Sequence, residues 1–489
     1  MAAELLLGVD VGTASSKGVL TDPAGRLLAT ATRPHGVSRP RPGWVEHDPE
    51  AVWWDEFVSI ARELTAAAPG RVAAVAVSGI GPCVLPTTAD DRPLRDAILY
   101  GVDTRATEEI AELTERLGRD AIVRRGGNQL TSQAIGPKLR WLQRHEPEVW
   151  ARTRRFHMAS SLLVRRLTGE YVLDHHSASQ SDPLYDLTAQ AWLPELAGDL
   201  FPGLELPRLL WPSEVAGTVT AAAAEATGLA EGTPVTAGTI DAWAEAVSVG
   251  ATRPGDLMLM YGTTMFLTQV VERPLFHPAL WSTNGVFAGT YCAAGGMATS
   301  GAVVEWLRTL TGGADYDALT AEARATPPGS DGLVLLPYFA GERTPLFDER
   351  ARGVLAGLTL HHHRGHLYRA VLEATGYAVR HHLDLMASSF PPPRRVVAVG
   401  GGARPLWTQI VTDITGHAQH LPRETIGAAY GDAYLAGLAA GLTDRDRDWV
   451  EWADPVRPDS ARHTSYQRFY ELYRDLYPAT REIVHKLAA

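Results

Sequence analysis

Residues 5–20 read LLLGVDVGTASSKGVL. An apolar run ends in a glycine-threonine turn and resumes as a second run. This is the pattern of two antiparallel strands joined by a tight turn. Asp10 is the anomaly, because a carboxylate at the end of a buried run is costly without a partner. A third strand is expected over 27–33, after a turn at DPAG. The stretch PEAVWWDEFVSIARELTAAA (49–68) then places Trp53, Phe57, Ile60 and Leu64 at helical spacing. RVAAVAVSG (71–79) is apolar enough for a strand buried on both faces. The order is three strands, helix, strand, which belongs to the α/β class.

The pattern returns later in the chain. TPVTAGTIDAWAEAVSVGA (233–251) reads as strand, glycine turn and helix. LMLMYGTTMFLTQVV (257–271) reads as strand, small-residue turn and strand, and aligns with the opening when Gly262-Thr263 is set on Gly12-Thr13. RRVVAVGGGARPLWTQIVTDITG (394–416) is strand, triple glycine and helix. The middle, about 105–230, is mixed and mostly helical. The chain reads as two related halves, 1–248 and 249–489, each with a glycine-threonine hairpin near its start.

Length and composition set the frame. A chain of 489 residues exceeds one ordinary core. With 45% apolar residues, 21% charged residues and 46 glycines it is globular. The formal net charge of -11 argues against nucleic acid or an anionic membrane as the main partner. The only two cysteines, Cys83 and Cys292, form no disulfide framework and fit a reducing cytoplasm. Glu4 and Asp10 near the start are unlike a signal peptide, and no uncharged run is long enough to span a bilayer.

Turns of Gly, Thr and Ser expose backbone N–H groups suited to phosphate, although either alone also reads as a plain hairpin turn. Asp10 beside the first turn is placed to face Mg²⁺. Met260 occupies the aligned position in the second hairpin, so the turn itself does not require the acid. Lys17 reads equally as a phosphate counter-charge or a solvated lysine. The glycines at 400–402 let a ligand approach the backbone before a helix N-terminus. The surrounding sequence fits neither the dinucleotide nor the P-loop fingerprint. Asp241, at a strand-to-helix turn, reads either as a general base or as a helix cap. The histidine-rich stretches at 175–176, 360–366 and 381–382 lack metal-binding spacing, so no structural metal site is expected.

Together these segments resemble the FGGY carbohydrate kinases, relatives of actin, hexokinase and the heat-shock chaperone ATPases, and are most like xylulokinases. GVDVGTASSKGVL, GWVEHDPEAVWWD, LYGVDTRA, AGTIDAWAEAVSVGA, YGTTMFL, the long segment 336–384, GGGARPLWTQIVTDITG and GAAYGDAYLAG carry the resemblance. It implies two ribonuclease H-like, actin-like domains with a nucleotide cleft between them. It implies ATP and Mg²⁺, with Asp241 as the base and Asp10 as the metal-side carboxylate. Gly12, Thr13, Ser15, Lys17, Gly262, Thr263 and Thr264 would meet phosphates, and Gly401, Gly402 and Ala403 the nucleoside. Asp103 would bind sugar hydroxyls. Xylulokinases usually carry Met-His where this chain has Gly81-Pro82, and glycerol kinases carry Arg-Glu. The pocket at Gly81 and Pro82 is therefore expected to be roomier or less polar, and, if it has drifted from D-xylulose, restoring Met-His is expected to improve use of that sugar. D-xylulose is the first substrate expected, with other ketoses, polyols and sugar acids open. The expected partners are small molecules, with no nucleic acid or membrane, and a homodimer is left open.

Overall fold

The computed structural model describes residues 4–488, so residues 1–3 and 489 of the expected domain ranges lie outside it. The opening stretch forms the expected hairpin. Strand β1 (Leu5–Val11) pairs antiparallel with β2 (Ser15–Thr21), and β3 (Leu27–Pro34) pairs with the far side of β2. Helix α1 (Asp55–Ala66) follows a wide helical turn, Pro49–Trp54, whose first N–H groups are capped by Asp48. Phe57, Ile60 and Leu64 of α1 are buried against the sheet. Gly18 permits that approach, since a Cβ there would lie 2.3 Å from Ile60 Cγ2.

Strand β4 (Val72–Gly79) runs parallel to β1 and sets Ser78 opposite Asp10. The sheet is completed by β5 (Val215–Thr218), β6 (Pro234–Thr236) and β7 (Thr239–Ile240), the last lying alongside the end of β4. Its main order is β5-β6-β4-β1-β2-β3. A largely helical region between β4 and β5 has its own core, including Leu113, Leu139, Leu142 and Tyr185.

The later half repeats the arrangement. Its strands are β8 (Asp256–Tyr261), β9 (Met265–Val271), β10 (Trp281–Asn284), β11 (Tyr291–Met297), β12 (Arg395–Val399) and β13 (Gln419–His420). They form a sheet in the order β10-β11-β9-β8-β12-β13. Strands β4, β1, β2 and β3 correspond to β12, β8, β9 and β11, with the same parallel and antiparallel senses. The short internal match in the sequence is therefore a repeat of topology. It also aligns Ser78-Gly79-Ile80-Gly81 with Val399-Gly400-Gly401-Gly402, an equivalence invisible in the residues alone. Helix α3 (Gly301–Leu310), the long α4 (Arg364–Ala387), α5 (Pro405–Thr415) and the C-terminal α7 (Ser460–Leu487) belong to this half.

Two helices lie between the sheets: α2 (Asp241–Ser248) and α6 (Ala428–Ala439). One apolar cluster joins Leu6 and Ala74 of the first sheet, Met258 and Val397 of the second, and Trp243, Val247, Ala429 and Ala433 of the two helices. Their backbones nearly touch. A Cβ on Gly431 would lie 1.9 Å from the carbonyl oxygen of Ala244, and one on Gly8 would lie 2.0 Å from that of Ala429. Glycine is required at both crossings.

Candidate active site

Both glycine-threonine turns open onto the space between the halves. In the first, the Gly12 N–H donates to Ser15 O at 3.1 Å. In the second, the Gly262 N–H donates to Thr264 O at 3.0 Å. Thr263 and Thr264 are exposed, while Gly12, Thr13 and Ser15 are half-buried. The second turn is braced by the start of α3: Ser300 and Ala302 donate to Thr263 O, and Gly301 donates to Gly262 O. The first turn is braced by His35, whose Nε2 meets Gly12 O at 3.0 Å and whose Nδ1 meets Glu56 at 2.9 Å. Both nitrogens face acceptor oxygens. His35 and Glu56 were not singled out from sequence, because nothing local to either residue predicts this contact.

Asp10, the penultimate residue of β1, is half-buried. Burial pushes its carboxyl up to about 6, against the Ser78 hydrogen bond and the positive charges of Lys17 and His35. The Ser78 hydroxyl lies 2.9 Å from Asp10 Oδ1 and 2.7 Å from Asp432 Oδ2. One hydroxyl has one proton, so it donates to one carboxyl and accepts from the other. Asp432 is fully buried on α6, and burial followed by Asp10 repulsion raises it well above the carboxylate range. Glu245, one turn along α2 from Asp241, is pushed to about 7 by burial and then by Asp10. Lys17 faces this group, and its Nζ donates to the carbonyl of Ile426.

Asp241 is the first residue of α2. The Ala242 N–H donates to its Oδ1 at 2.7 Å, but the N-cap position belongs to Ile240 and carries no side-chain cap bond, so Asp241 does not cap the helix. Oδ2 has no hydrogen-bond partner among the described residues. Burial, then repulsion from Asp10, raises this carboxyl well above its usual range. Asp241 lines a cavity of about 280 Å³ together with Gly81, Tyr100, Gln180, Trp243, Trp281 and Arg343. Thr264 and Met260 from the second hairpin also reach it. Strand β10 closes one side: the Ser282 N–H donates to Asn128 Oδ1 at 2.9 Å, and Asn128 Nδ2 donates to Ser282 O at 2.9 Å.

The glycine turn after β12 divides its work. A Cβ on Gly400 would lie 2.6 Å from Tyr261 O, and one on Gly402 would lie 3.0 Å from Trp407 Cζ3. Gly401 meets nothing within 4 Å and is exposed, so it is the open face of the turn. Ala403 is half-buried, and Arg404 beside it lies 4.8 Å over the Tyr316 ring.

One expectation does not fit the structure, and another is narrowed to one of its two alternatives. Asp103 does not line the cavity. It is fully buried, its carboxylate is gripped by Arg105 at 2.7–3.1 Å, and its Oδ2 accepts the Val45 N–H at 2.7 Å. Gly81 does line the cavity and Pro82 is buried behind it, but the space left by the missing side chain is filled. A Cβ on Gly81 would lie 2.7 Å from Ile240 Cγ1. The pocket is less polar at this point, not roomier.

The histidine runs do converge: Asp331, His361 and His366 place ligand atoms within 4.8 Å of one another. However, the His363 N–H donates to His366 Nδ1 at 3.2 Å, so His366 carries its proton on Nε2 and donates it to Asp331 at 3.0 Å. His363 and His366 form a reciprocal cap at the start of α4.

The "Xylulose kinase" of Escherichia coli (strain K12) is 32% identical over 490 residues, covering 97% of this chain and 98% of its own. A "Glycerol kinase" of Nocardia farcinica is also 32% identical, over 94% and 93% of the two chains. The crystal structure of xylulose kinase from Rhodospirillum rubrum superimposes with a TM-score of 0.92 at 34% identity, covering 99% of this chain and 100% of its own. Residues 5–248 match the N-terminal domain, and residues 257–440 the C-terminal domain, of the FGGY family of carbohydrate kinases. With matches over both halves, this chain belongs to the FGGY family of carbohydrate kinases.

Proposed function

We propose that the protein is an ATP-dependent sugar kinase that moves the γ-phosphate of MgATP to a primary hydroxyl of a ketose, with D-xylulose giving D-xylulose 5-phosphate as the leading substrate. The observation that carries this reading is Asp241, with one carboxylate oxygen pinned by Ala242 and the other free on the cavity wall. The fixed oxygen orients the free one toward a bound hydroxyl. As the sugar oxygen bonds to the γ-phosphorus, Asp241 takes its proton, and the bond to the β–γ bridging oxygen breaks to release ADP. Thr13, Ser15, Thr263 and Thr264 supply donors to the phosphates from the two facing hairpins. Gly401, Gly402 and Ala403 border the nucleoside. Positioning and charge stabilisation account for most of the rate in such a transfer.

The acid cluster fits a divalent cation. Asp10, Asp241, Glu245 and Asp432 crowd together with Lys17 as the facing cation, and each carboxyl is pushed upward by burial. Asp10 would hold Mg²⁺ on its metal-facing side, and the ion supplies neutralisation of phosphate charge. Asp432 and Ser78 fix the orientation of Asp10 from behind. We divide the chain at 248/249, where α2 ends, and place the protein in the cytoplasm on its two buried, unpaired cysteines. No helix among the described residues is long and apolar enough to cross a membrane.

The test is a panel of ketoses, polyols and sugar acids in a coupled ADP-release assay, with phosphorus NMR of the product. D-xylulose phosphorylated on its primary hydroxyl is expected. A polyol or sugar acid preferred roughly tenfold in kcat/KM, about 1.4 kcal/mol, would replace D-xylulose as the substrate.

A further inference from the structure

The catalytic cleft lies at the first residue of α2, and a separate cavity of about 430 Å³ lies at its last. Val247 and Ser248 line this second cavity with Gly250 of the connecting segment. Arg394 and Arg395 enter it from the amino end of β12, whereas the glycine turn at 400–402 is at the carboxyl end. The five residues of β12 separate the two by about 16 Å. The cavity is therefore remote from the nucleotide turn, yet built on the same strand and the same helix as the active site.

Its charge is unusual for a protein of net charge -11. Five arginines (253, 394, 395, 445 and 447) line it against two carboxylates, Asp446 and Asp448. Asp256, fully buried behind the wall, holds Arg395 at 2.9 Å. The other arginines are only loosely engaged. Arg253 pairs with Asp446 at 3.2 Å, but that aspartate side chain is 97% exposed, and such a pair is weak. Arg394 is 63% exposed and 3.5 Å from Asp256. Arg445 lies over the Phe287 ring, and neither it nor Arg447 has an ion-pair partner among the described residues.

We propose that this cavity is a second ligand site, which binds a small phosphorylated metabolite bearing two or more phosphate groups. Arginine forks match phosphate oxygens two at a time, and the volume suits a small metabolite. The lining comes from both halves and from the segment that links them. Tyr430 and Tyr434 of α6 also form part of it. A bound polyanion would bridge α2, α6 and β12, and so fix how the two halves are set around the cleft.

The test is calorimetric titration of the full-length protein with inorganic pyrophosphate, without nucleotide or sugar, so its outcome does not depend on the sugar assignment. Wild type is expected to bind. Arg253→Ser/Arg394→Ser should bind roughly tenfold more weakly or worse, whereas Thr263→Val, in the phosphate hairpin, should retain the binding. Arg447→Ser removes a side chain without an ion-pair partner and should bind several-fold more weakly while folding normally. Three results would each overturn the proposal: no binding at millimolar pyrophosphate, binding abolished by Thr263→Val, or Arg447→Ser binding at full strength.

Discussion

The crossing of α2 and α6 yields a sharp prediction for Gly431→Ala. The added Cβ would lie 1.9 Å from Ala244 O, 2.8 Å from its carbonyl carbon and 3.0 Å from Ser248 N. All three neighbours are backbone atoms of α2, so no side chain can swing away. Reaching an ordinary contact of about 3.4 Å means moving the helices apart by about 1.5 Å. Overpacking of this kind costs about 1–3 kcal/mol. Alanine recovers up to about 1 kcal/mol through helix propensity. The net loss should lower the midpoint of thermal unfolding by about 2–4 °C per kcal/mol for a domain of this size. The larger effect should be catalytic. Asp241 begins α2, and a misplacement near 1 Å can reduce turnover roughly a hundredfold. Steady-state kcat and a thermal melt on the same preparation test both. Wild-type turnover within threefold, with an unchanged melt, would refute the view that this crossing sets the position of Asp241.

Three further predictions follow from the same structure. Burial raises the Asp182 carboxyl to about 7 against the hydrogen bond from Asn128. This group's stabilising contribution is therefore full below pH 3.8 and is lost as pH rises through 7. Asp182→Asn does not titrate, so denaturant unfolding should show it gaining on wild type between pH 4 and 8, by at most about 4 kcal/mol; a difference independent of pH would contradict the assignment. Gly81→Met/Pro82→His should lower kcat/KM for D-xylulose about tenfold because of Ile240, and Ile240→Ala should recover most of it; improvement without the second change would show that the site is not filled. His35→Ala should raise KM for ATP about tenfold through the loss of its hydrogen bond to Gly12 O, with KM for the sugar within twofold; equal effects on both would mean a general loss of folding.

The parts of the fold legible in the sequence are those encoded locally. Alternation and a glycine-threonine turn specify each hairpin, and the observed strands at 5–11, 15–21, 256–261 and 265–271 follow them closely. The triple glycine between strand and helix is equally local. What the residues could not disclose is contact across long separations. Ser78 meets Asp432, 354 positions away, and this pairing explains how a buried acid is tolerated behind Asp10. Asp103 is assigned to a sugar by the resemblance of its segment alone, and nothing in the sequence says where the Arg105 fork points. Only the fold shows it closed onto that carboxylate and onto Glu46 at 2.7 Å. Gly81 suggested empty space, and the branched side chain of Ile240, arriving from β7, takes it. The histidine run looked inert by spacing. The structure gathers part of it, and the hydrogen bond from His363 to His366 then gives it a capping role.

The central claim is that Asp241 accepts the sugar proton in a cleft built by two copies of one hairpin-and-strand unit. Its most direct test is Asp241→Asn, assayed for D-xylulose phosphorylation beside calorimetric titration with MgADP. The amide keeps the shape but cannot take the proton. Turnover should fall at least about a hundredfold, with MgADP affinity within threefold of wild type. Turnover retained at the wild-type level would show that the base lies elsewhere.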